Sequence, residues 1–277
     1  MIVAVTGSSG LLGSAIVAAL AAAGHRVAGI DAVPAPTTAI VADLRDLGDA
    51  LLAFSGTEAV IHAAAIPRPT GRTAQDVFAT NLTLAFNAVE AAATLGVRRF
   101  VYASSFAVLG LPFNTAPVGI RYLPVDEAHP VGPQDAYALS KWLGEETVEA
   151  ATRRGAFSAV SLRLPWIQTP ATFMAEVGPR RIGPDAHRDL WAYIDARDAA
   201  AAFLAALAAP VGGHLRLFLS AADTYAETPT ADLVRAWPEA ELRRPLAGHA
   251  SVIDFAAARA ALGFAPRHSW RDYGRAA

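Results

Sequence analysis

The glycine-rich segment TGSSGLLG, residues 6–13, constrains the fold of this chain more than any other feature. It follows the apolar run Ile2–Val5 and opens a helix-like stretch, which marks a strand–turn–helix unit. Gly7 permits a tight turn, Gly10 lets the backbone approach a diphosphate, and Gly13 lets the helix pack closely on the strand. Backbone N–H groups and the helix dipole then attract an anion. In this context the segment predicts a dinucleotide site rather than a plain glycine-rich turn. The predicted contacts are Gly7, Ser9, Gly10, Leu11, Leu12 and Gly13.

Short apolar runs alternate with longer helical patterns over the first two-thirds of the chain. Strands are predicted over Ile2–Val5, Val27–Ile30, Ala39–Val41, Ala59–His62, Arg99–Ala103 and Ala159–Leu164. Helices are predicted over Leu11–Ala23, Leu47–Phe54, Ala74–Leu95 and Ala136–Arg153. Continuous apolar strands are typical of sheets covered on both faces. Their alternation with helices indicates an α/β fold, a Rossmann-like doubly wound parallel sheet.

The periodic pattern weakens after residue 164. Prolines 165, 170, 179 and 184 interrupt the following segment, where no periodic element is expected. We predict a dinucleotide-binding Rossmann domain over residues 1–164 and a small C-terminal part over 165–277 that is mostly substrate-binding. Within it, residues 195–220 carry a predicted helix and strand that return to the Rossmann domain. A last helix is expected near Asp254–Leu262.

Charge and composition exclude several classes of partner and site. The net charge of −2 and the lack of a basic stripe make nucleic acid an unexpected partner. With no cysteine, disulfides, thiolate metal sites and cysteine nucleophiles are excluded. Mean hydropathy is high at +0.32, but the apolar stretch after the glycine turn is too short to span a bilayer. We expect a cytoplasmic protein with no membrane partner. No metal is predicted, because metal-ligand spacing is absent around His62, His129, His187 and His214.

Two acidic residues follow predicted strands and suit an adenosine group. Asp31 ends the second strand, where a carboxylate accepts hydrogen bonds from both ribose hydroxyls and repels a 2′-phosphate. The next residue, Ala32, is not an arginine that would hold such a phosphate. Asp31 therefore favours NAD over NADP, with a turn or helix-capping aspartate as the alternative. Asp43 and Leu44 follow the third strand and suit the edge and face of adenine.

A tyrosine and a lysine lie one helical turn apart. Tyr137 and Lys141 share one helix face at i and i+4. A tyrosine pKa near ~10 makes a poor base, and a neighbouring cation is expected to lower that pKa. Ser105 follows the fifth strand, where its hydroxyl can bond the substrate oxygen. The three residues predict general acid/base catalysis paired with hydride transfer. By itself the spacing also fits a half-buried tyrosine beside a surface lysine.

The chain resembles an extended short-chain dehydrogenase/reductase of the NAD-dependent epimerase/dehydratase group over nearly its whole length. The matching segments are TGSSGLLG (6–13), Asp31, DL (43–44), HAAA (62–65), Asn81, YASSFAVLG (102–110), YALSK (137–141), RLP (163–165) and LGFAP (262–266). The resemblance implies NAD as the cofactor and Ser105, rather than Ser104, as the catalytic serine beside Tyr137 and Lys141. It implies further cofactor contacts from His62, Ala63, Ala64, Ala65, Asn81, Ala103, Tyr137, Lys141 and Pro165. It also implies a homodimer through helices over 76–95 and 136–153, whose apolar faces equally suit covering the sheet.

The family's usual substrates are nucleotide-linked sugars, so a small sugar or sugar-nucleotide substrate is expected. Arginines bind phosphate or carboxylate bidentately, although loop arginines are often only solvated. The expected substrate contacts are Ser105, Phe106, Tyr137, Trp166, Arg180 and Arg188.

Three hypotheses about activity remain open from the sequence. The first is a sugar-nucleotide epimerase-like enzyme that reduces and reoxidises NAD within one turnover. The second is an NAD-dependent dehydrogenase of a free sugar or sugar acid; the chain is similar in size to uronate dehydrogenases but has Phe106 and Ala107 where they have an Asn-His pair. The third is a non-catalytic NAD-sensing protein, which the presence of both Tyr137 and Lys141 disfavours.

Overall fold

A computed structural model describes residues 1–182 and 184–273 of the chain. The strands are β1 (Ile2–Thr6), β2 (Arg26–Asp31), β3 (Ile40–Val41), β4 (Ala59–His62), β5 (Arg99–Ser105), β6 (Tyr122–Leu123), β7 (Ser158–Leu164), β8 (Trp166–Gln168), β9 (Tyr193–Asp195), β10 (His214–Phe218) and β11 (Glu241–Leu242). The α-helices are α1 (Leu11–Ala22), α2 (Leu47–Phe54), α3 (Ala74–Thr94), α4 (Ala136–Arg153), α5 (Pro170–Glu176), α6 (Ala196–Ala208), α7 (Thr230–Leu233) and α8 (Ala256–Leu262).

The central sheet is parallel and has the strand order β10-β7-β5-β4-β1-β2-β3. The chain builds outward from β1 to β3 and then returns to place β4 on the other side of β1. The strand order therefore reverses at β1 and β4, and the loops that follow them diverge to leave a crevice at their carboxyl ends. The predicted Rossmann-like doubly wound fold is confirmed.

Alanine-rich helices cover both faces of this sheet. On one face Leu20 of α1 and Phe203 of α6 join a fully buried apolar cluster with the strands. On the other face Phe54, Val89 and Val148 come from α2, α3 and α4. Because each strand is covered on both sides, its residues are apolar without alternation, as β1 shows.

The C-terminal part contributes to two regions. Strand β10 pairs with β7, and α6 packs against α1, so this stretch of the chain lies against the central sheet and its helices. The two small sheets β8–β9 and β6–β11 surround a second apolar cluster that includes Phe173, Tyr193 and Tyr225. These elements form a cap beside the carboxyl end of β7.

The segment 165–190 is more regular than the sequence predicts. It contains β8, the short helix α5, and 3-10 turns at Gly178–Arg180 and Pro184–Asp189. Thr169 and Thr172 form a reciprocal capping box at the start of α5, with Pro170 at its first turn. A helix of two turns is too short to produce a detectable period, so only its caps identify it. Within the described residues no helix is long and apolar enough to cross a membrane.

Candidate active site

A cavity of about 920 Å³ lies at the carboxyl ends of the central strands and extends toward the cap. It brings together most of the site residues predicted from the sequence. Those that line it are Gly7, Ser9, Gly10, Leu11, Leu12, Gly13, Asp31, Asp43, Leu44, Ala63, Ala64, Ala65, Ala103, Ser105, Phe106, Tyr137, Lys141, Pro165, Trp166 and Arg180.

The glycine turn forms one end of this cavity, and its geometry requires glycine. Gly7 has a φ of +70°, and a Cβ there would lie 2.7 Å from the backbone nitrogen of Ala64. A Cβ on Gly13 would lie 2.0 Å from the Gly7 carbonyl oxygen. The N-cap of α1 is Gly10, which has no side chain to bond the first-turn N–H groups. Those donors therefore face the cavity and suit a diphosphate.

Asp31 lies at the end of β2, where two backbone N–H groups and a hydroxyl orient its carboxylate. Its Oδ2 accepts hydrogen bonds from the Ser9 backbone at 3.0 Å and the Ser9 hydroxyl at 2.6 Å, and its Oδ1 accepts one from the Val33 N–H at 3.1 Å. The glycine turn and the carboxylate expected to face the ribose are thus connected directly.

Asp43 is paired with an arginine that the sequence analysis did not single out. The Arg45 guanidinium lies 2.5 Å from the Asp43 Oδ2, and this side-chain hydrogen bond holds the pKa of Asp43 below its usual value. Arg45 itself lines the cavity. The expected adenine edge of the site therefore presents an ion pair instead of an isolated carboxylate.

His62 does not line the cavity, contrary to its predicted contact with the cofactor. It is buried, its Nδ1 lies 2.9 Å from the Thr6 hydroxyl, and its ring stacks on Tyr102. Burial, followed by the charge of Lys141, lowers its pKa to about 3. The Thr6 hydroxyl oxygen in turn accepts hydrogen bonds from the N–H groups of Ala63 and Ala64, both at 3.1 Å. His62 thus supports the loop whose alanines line the cavity.

Asn81 also lies behind the cavity wall. Its Oδ1 accepts a hydrogen bond from the Ile66 N–H at 2.7 Å, and its Nδ2 donates to the Ile66 carbonyl and to the Ser140 hydroxyl, each at 3.1 Å. Its side chain is buried and fully used by these contacts. Asn81 therefore connects the loop after β4 to α4 by hydrogen bonds. Its side chain supports the cavity wall from behind and is not part of the cavity surface.

Tyr137 and Ser105 meet where α4 approaches the end of β5. Asp135 caps α4 by accepting hydrogen bonds from the N–H groups of Tyr137 and Ala138, which fixes the first turn. Burial raises the pKa of Tyr137 to about 12, although the Ser105 hydroxyl opposes this shift. The expected lowering by Lys141 is therefore wrong for this structure. Desolvation outweighs the opposing hydrogen bond of Ser105, so Tyr137 keeps its proton at neutral pH.

Lys141 is buried beside these two residues and donates a hydrogen bond from Nζ to the Ala103 carbonyl at 2.8 Å. Its Nζ lies 5.8 Å from the centre of the Tyr137 ring. Burial lowers the pKa of Lys141 to about 8, while the charge of Glu145 opposes that shift. The lysine is therefore held at the site by a backbone contact and remains cationic at neutral pH.

A buried charge network that the sequence did not reveal lies beneath the predicted catalytic residues. Glu145, one turn after Lys141, accepts hydrogen bonds from Ser104 at 2.5 Å and from Arg163 at 2.9 and 2.8 Å. Arg216 pairs with the same carboxylate at 3.1 Å. The network joins α4 to β5, β7 and β10. The spacing of Glu145 from Lys141 was the one sequence signal that could have indicated it.

The two arginines of the cap that are predicted to contact the substrate lie in different places. Arg180 lines the cavity, with its guanidinium 5.0 Å from the centre of the Trp166 ring. Arg188 is exposed and lines a separate small hollow with Trp237, so the structure does not bring it to the cavity. Several further side chains in the wall are not predicted by any pattern in the sequence, namely Arg68, Phe113, Glu176 and Asp189.

The family model described as NAD dependent epimerase/dehydratase family matches residues 3–217. The chain is 28% identical to the UDP-glucose 4-epimerase of Corynebacterium glutamicum over 57% of this chain and 49% of that protein. It is 30% identical to the L-arabinose 1-dehydrogenase (NAD(P)(+)) of Haloferax volcanii over 60% of this chain and 67% of that protein. A short-chain dehydrogenase/reductase superfamily protein from Agrobacterium tumefaciens, solved with bound NAD, has a TM-score of 0.75 and 26% identity over 98% of this chain and 94% of that chain. The chain spans about half the length of the epimerase relative.

Proposed function

The chain belongs to the NAD dependent epimerase/dehydratase family, and from this premise we propose that it oxidises or reduces a sugar or sugar-nucleotide substrate at a carbon bearing a hydroxyl or carbonyl group. The observation that carries the proposal is that one cavity holds both the glycine turn and the pair Tyr137 and Ser105. A dinucleotide bound along the strand ends and a proton donor thus share one site.

The residues of the cavity fit the dinucleotide. The first turn of α1 would hold its diphosphate, since a Cβ on Gly7 or Gly13 would fill that cradle. Asp31 would accept the hydroxyls of the adenosine ribose and disfavour a 2′-phosphate. When bound, NAD supplies the acceptor or donor of a hydride.

Residues of the chain itself would donate and accept the proton of the reaction. Because its pKa is raised, Tyr137 carries its hydroxyl proton at neutral pH and is suited to donate it to a substrate oxygen. In the oxidation direction Tyr137 would first lose its proton to solvent, and its oxygen would then accept the proton of the substrate hydroxyl. The Ser105 hydroxyl is placed to bond the substrate oxygen, and Lys141 keeps a positive charge next to the tyrosine.

Two activities fit this chemistry. A sugar-nucleotide epimerase-like reaction is supported by the resemblance to UDP-glucose 4-epimerases. Oxidation of a free sugar or sugar acid is favoured by a separate observation. Among the described residues of the cap, none after Asp189 lines the cavity, so the cap offers few side chains that could hold the nucleotide part of a substrate. An epimerase leaves no net NADH, whereas a dehydrogenase accumulates it.

The test is to offer free sugars, sugar acids and sugar nucleotides to the purified protein with NAD, following NADH absorbance and sugar products. Tyr137→Phe should lower kcat by about 10²–10⁴-fold, with the dissociation constant for NAD unchanged. Near-complete activity in this variant would refute the assignment of the proton-transfer group. Turnover by no member of the panel, with NAD bound, would support the NAD-sensing alternative instead.

We further propose a cytoplasmic homodimer that forms through α3 and α4. Phe86 on α3 and Leu139 on α4 are apolar side chains with 51% and 38% of their surface exposed. A second copy of the chain would cover them.

A further inference from the structure

An ion pair in the cavity wall lies where a substrate would be recognised. Arg180 and Asp189 approach to 2.7 Å, with side-chain exposures of 54% and 6%. The Tyr225 hydroxyl donates to the same aspartate oxygen, Oδ2, at 3.2 Å. The second oxygen, Oδ1, accepts no hydrogen bond from the residues that the structure describes. Asp189 is thus firmly held, and its Oδ1 remains available as an acceptor among the described residues.

The ion pair lies close to the catalytic residues along the chain and in the sheet. Leu164, at the end of β7, pairs with Ser105 at the end of β5. Trp166 follows two residues later, and its ring lies beneath the Arg180 guanidinium. The ring, the guanidinium and the carboxylate therefore belong to the part of the cavity that adjoins Ser105.

The backbone directly after Asp189 is strained. Leu190 and Trp191 have φ values of 52° and 48°, which non-glycine residues rarely adopt. Such a conformation is unfavourable for these residues and persists only where packing enforces it. Both side chains are buried in the second apolar cluster. This packing holds the turn that places Asp189 in the cavity wall, as expected for a constrained binding residue.

The three side chains suit a pair of neighbouring sugar hydroxyls. A hydroxyl both donates and accepts, so it can donate to the free Asp189 oxygen and accept from an Arg180 N–H that the ion pair leaves unused. The Trp166 ring offers an apolar face to the C–H groups of the sugar ring. Carboxylate and guanidinium together satisfy both roles of each hydroxyl.

The charges of the described residues in this wall leave no uncompensated cation for an anionic substrate. The Arg180 charge is already balanced by Asp189, and Glu176 adds a second carboxylate, offset by Arg68 on the loop after β4. A substrate carboxylate or diphosphate would lie near the buried Asp189 charge, and like charges in such a position cost several-fold in affinity or more. None of the described residues after Asp189 lines the cavity, so the C-terminal segment supplies no wall for a second nucleotide.

We propose that Arg180, Asp189 and Trp166 form the subsite for an uncharged, nucleotide-free sugar, and that Asp189 excludes sugar acids and sugar nucleotides. This inference rests on the proposed function and narrows its substrate class. It makes the chain a dehydrogenase. Tyr137 would first lose its proton to solvent, bound NAD would take a hydride from the hydroxyl carbon of the sugar, and the hydroxyl proton would pass to the Tyr137 oxygen, giving the carbonyl product and NADH.

The test compares L-arabinose and D-galactose with D-galacturonate and UDP-galactose as substrates of the full-length protein with NAD. We expect NADH to accumulate with a neutral sugar, at a kcat/KM about tenfold or more above that for the acid. Asp189→Asn should shift this ratio about tenfold toward galacturonate, because the variant removes the charge and keeps a hydrogen-bond acceptor.

Arg180→Gln should raise KM for the neutral sugar about tenfold, with the dissociation constant for NAD unchanged.

Glu227→Gln is the matched control. Glu227 pairs at 3.0 Å with Arg181, the neighbour of Arg180, but neither residue lines the cavity. The substrate ratio of this variant should equal that of the wild type. A wild-type preference for galacturonate or UDP-galactose, or an unchanged ratio in Asp189→Asn, would overturn the subsite assignment and leave the proposed function intact.

Calorimetric titration of the neutral sugars into protein saturated with NADH tests the sugar subsite independently of the proposed enzymatic activity. Binding that is lost in Arg180→Gln, with no hydride transfer by the wild type, would support the subsite and refute the proposed function. Absence of any neutral-sugar binding would overturn the subsite itself.

Discussion

Burial decides the protonation state of individual residues in this site. Tyr137 and Lys141 lie side by side, yet desolvation raises the pKa of the first to about 12 and lowers that of the second to about 8. Each shift favours the neutral form of its group. At neutral pH the tyrosine is therefore a proton donor and the lysine is still mainly an ammonium ion.

The pKa of Lys141 predicts a pH dependence. Burial disfavours its cationic form, so the ammonium is present below about pH 8 and is lost as the pH rises through that value. If turnover needs the cation, kcat/KM for NADH in the reduction direction should fall above about pH 8, because Tyr137 still carries the proton that it donates and this ratio reports groups of the free enzyme. The profile should be measured from pH 6 to 10 at saturating substrate. A constant value up to pH 10 would contradict the prediction.

Asp31 predicts the choice between the two nicotinamide cofactors. In Asp31→Asn the selectivity for NAD over NADP should decrease by about tenfold, since the charge that repels a 2′-phosphate is lost. The asparagine retains an acceptor for the Ser9 N–H, which limits any loss of stability. Dissociation constants for both cofactors, measured by fluorescence titration, check this. Unchanged selectivity would show that Asp31 does not face the ribose.

At the scale of elements, the Glu145 network connects the helix and strands that carry the proposed catalytic residues. Replacing Glu145 by Gln leaves the buried Arg163 without its counter-charge, which should lower the free energy of unfolding by about 3–5 kcal/mol. Because Glu145 also raises the pKa of Lys141, the fall in kcat/KM should move to lower pH. Denaturant unfolding and the pH profile measure the two effects.

Glu90→Gln provides the comparison for Glu145. Glu90 also joins two elements, since it pairs with Arg154 just after α4, but both side chains are substantially exposed. Its loss should cost at most ~1 kcal/mol and leave the pH profile unchanged. Equal losses of stability in the two variants would mean that the Glu145 network is no more important than a surface pair.

At the scale of the whole molecule, the proposed homodimer predicts that one exposed residue controls assembly. Phe86→Glu should convert a dimer to a monomer, because a charge would be buried between the two copies. Leu242→Glu is the control, since Leu242 on β11 is equally exposed at 51% but lies outside α3 and α4. Light scattering after gel filtration at several concentrations gives the masses. A monomeric wild type at every concentration would contradict the dimer.

Local patterns in the sequence were sufficient for the central sheet, the glycine turn and the position of Tyr137 and Lys141 one turn apart on a helix. Each of these features is specified by a few neighbouring positions in the sequence. Apolar runs define the strands, glycines at fixed spacing define the turn, and an i, i+4 pair defines one helix face. Because parallel strands bring their carboxyl ends to one edge, the order of these elements also placed Asp31, Ser105 and Tyr137 in one crevice.

The tertiary structure alone decided which side chains face the cavity and what protonation state they have. His62 and Asn81 lie in segments that line the site, yet their side chains point behind the wall, whereas Asp189 reaches it and Arg188, one residue earlier, does not. The raised pKa of Tyr137 follows from its burial beneath elements distant in sequence. Side-chain direction and desolvation arise from packing between distant segments, and no local spacing records them.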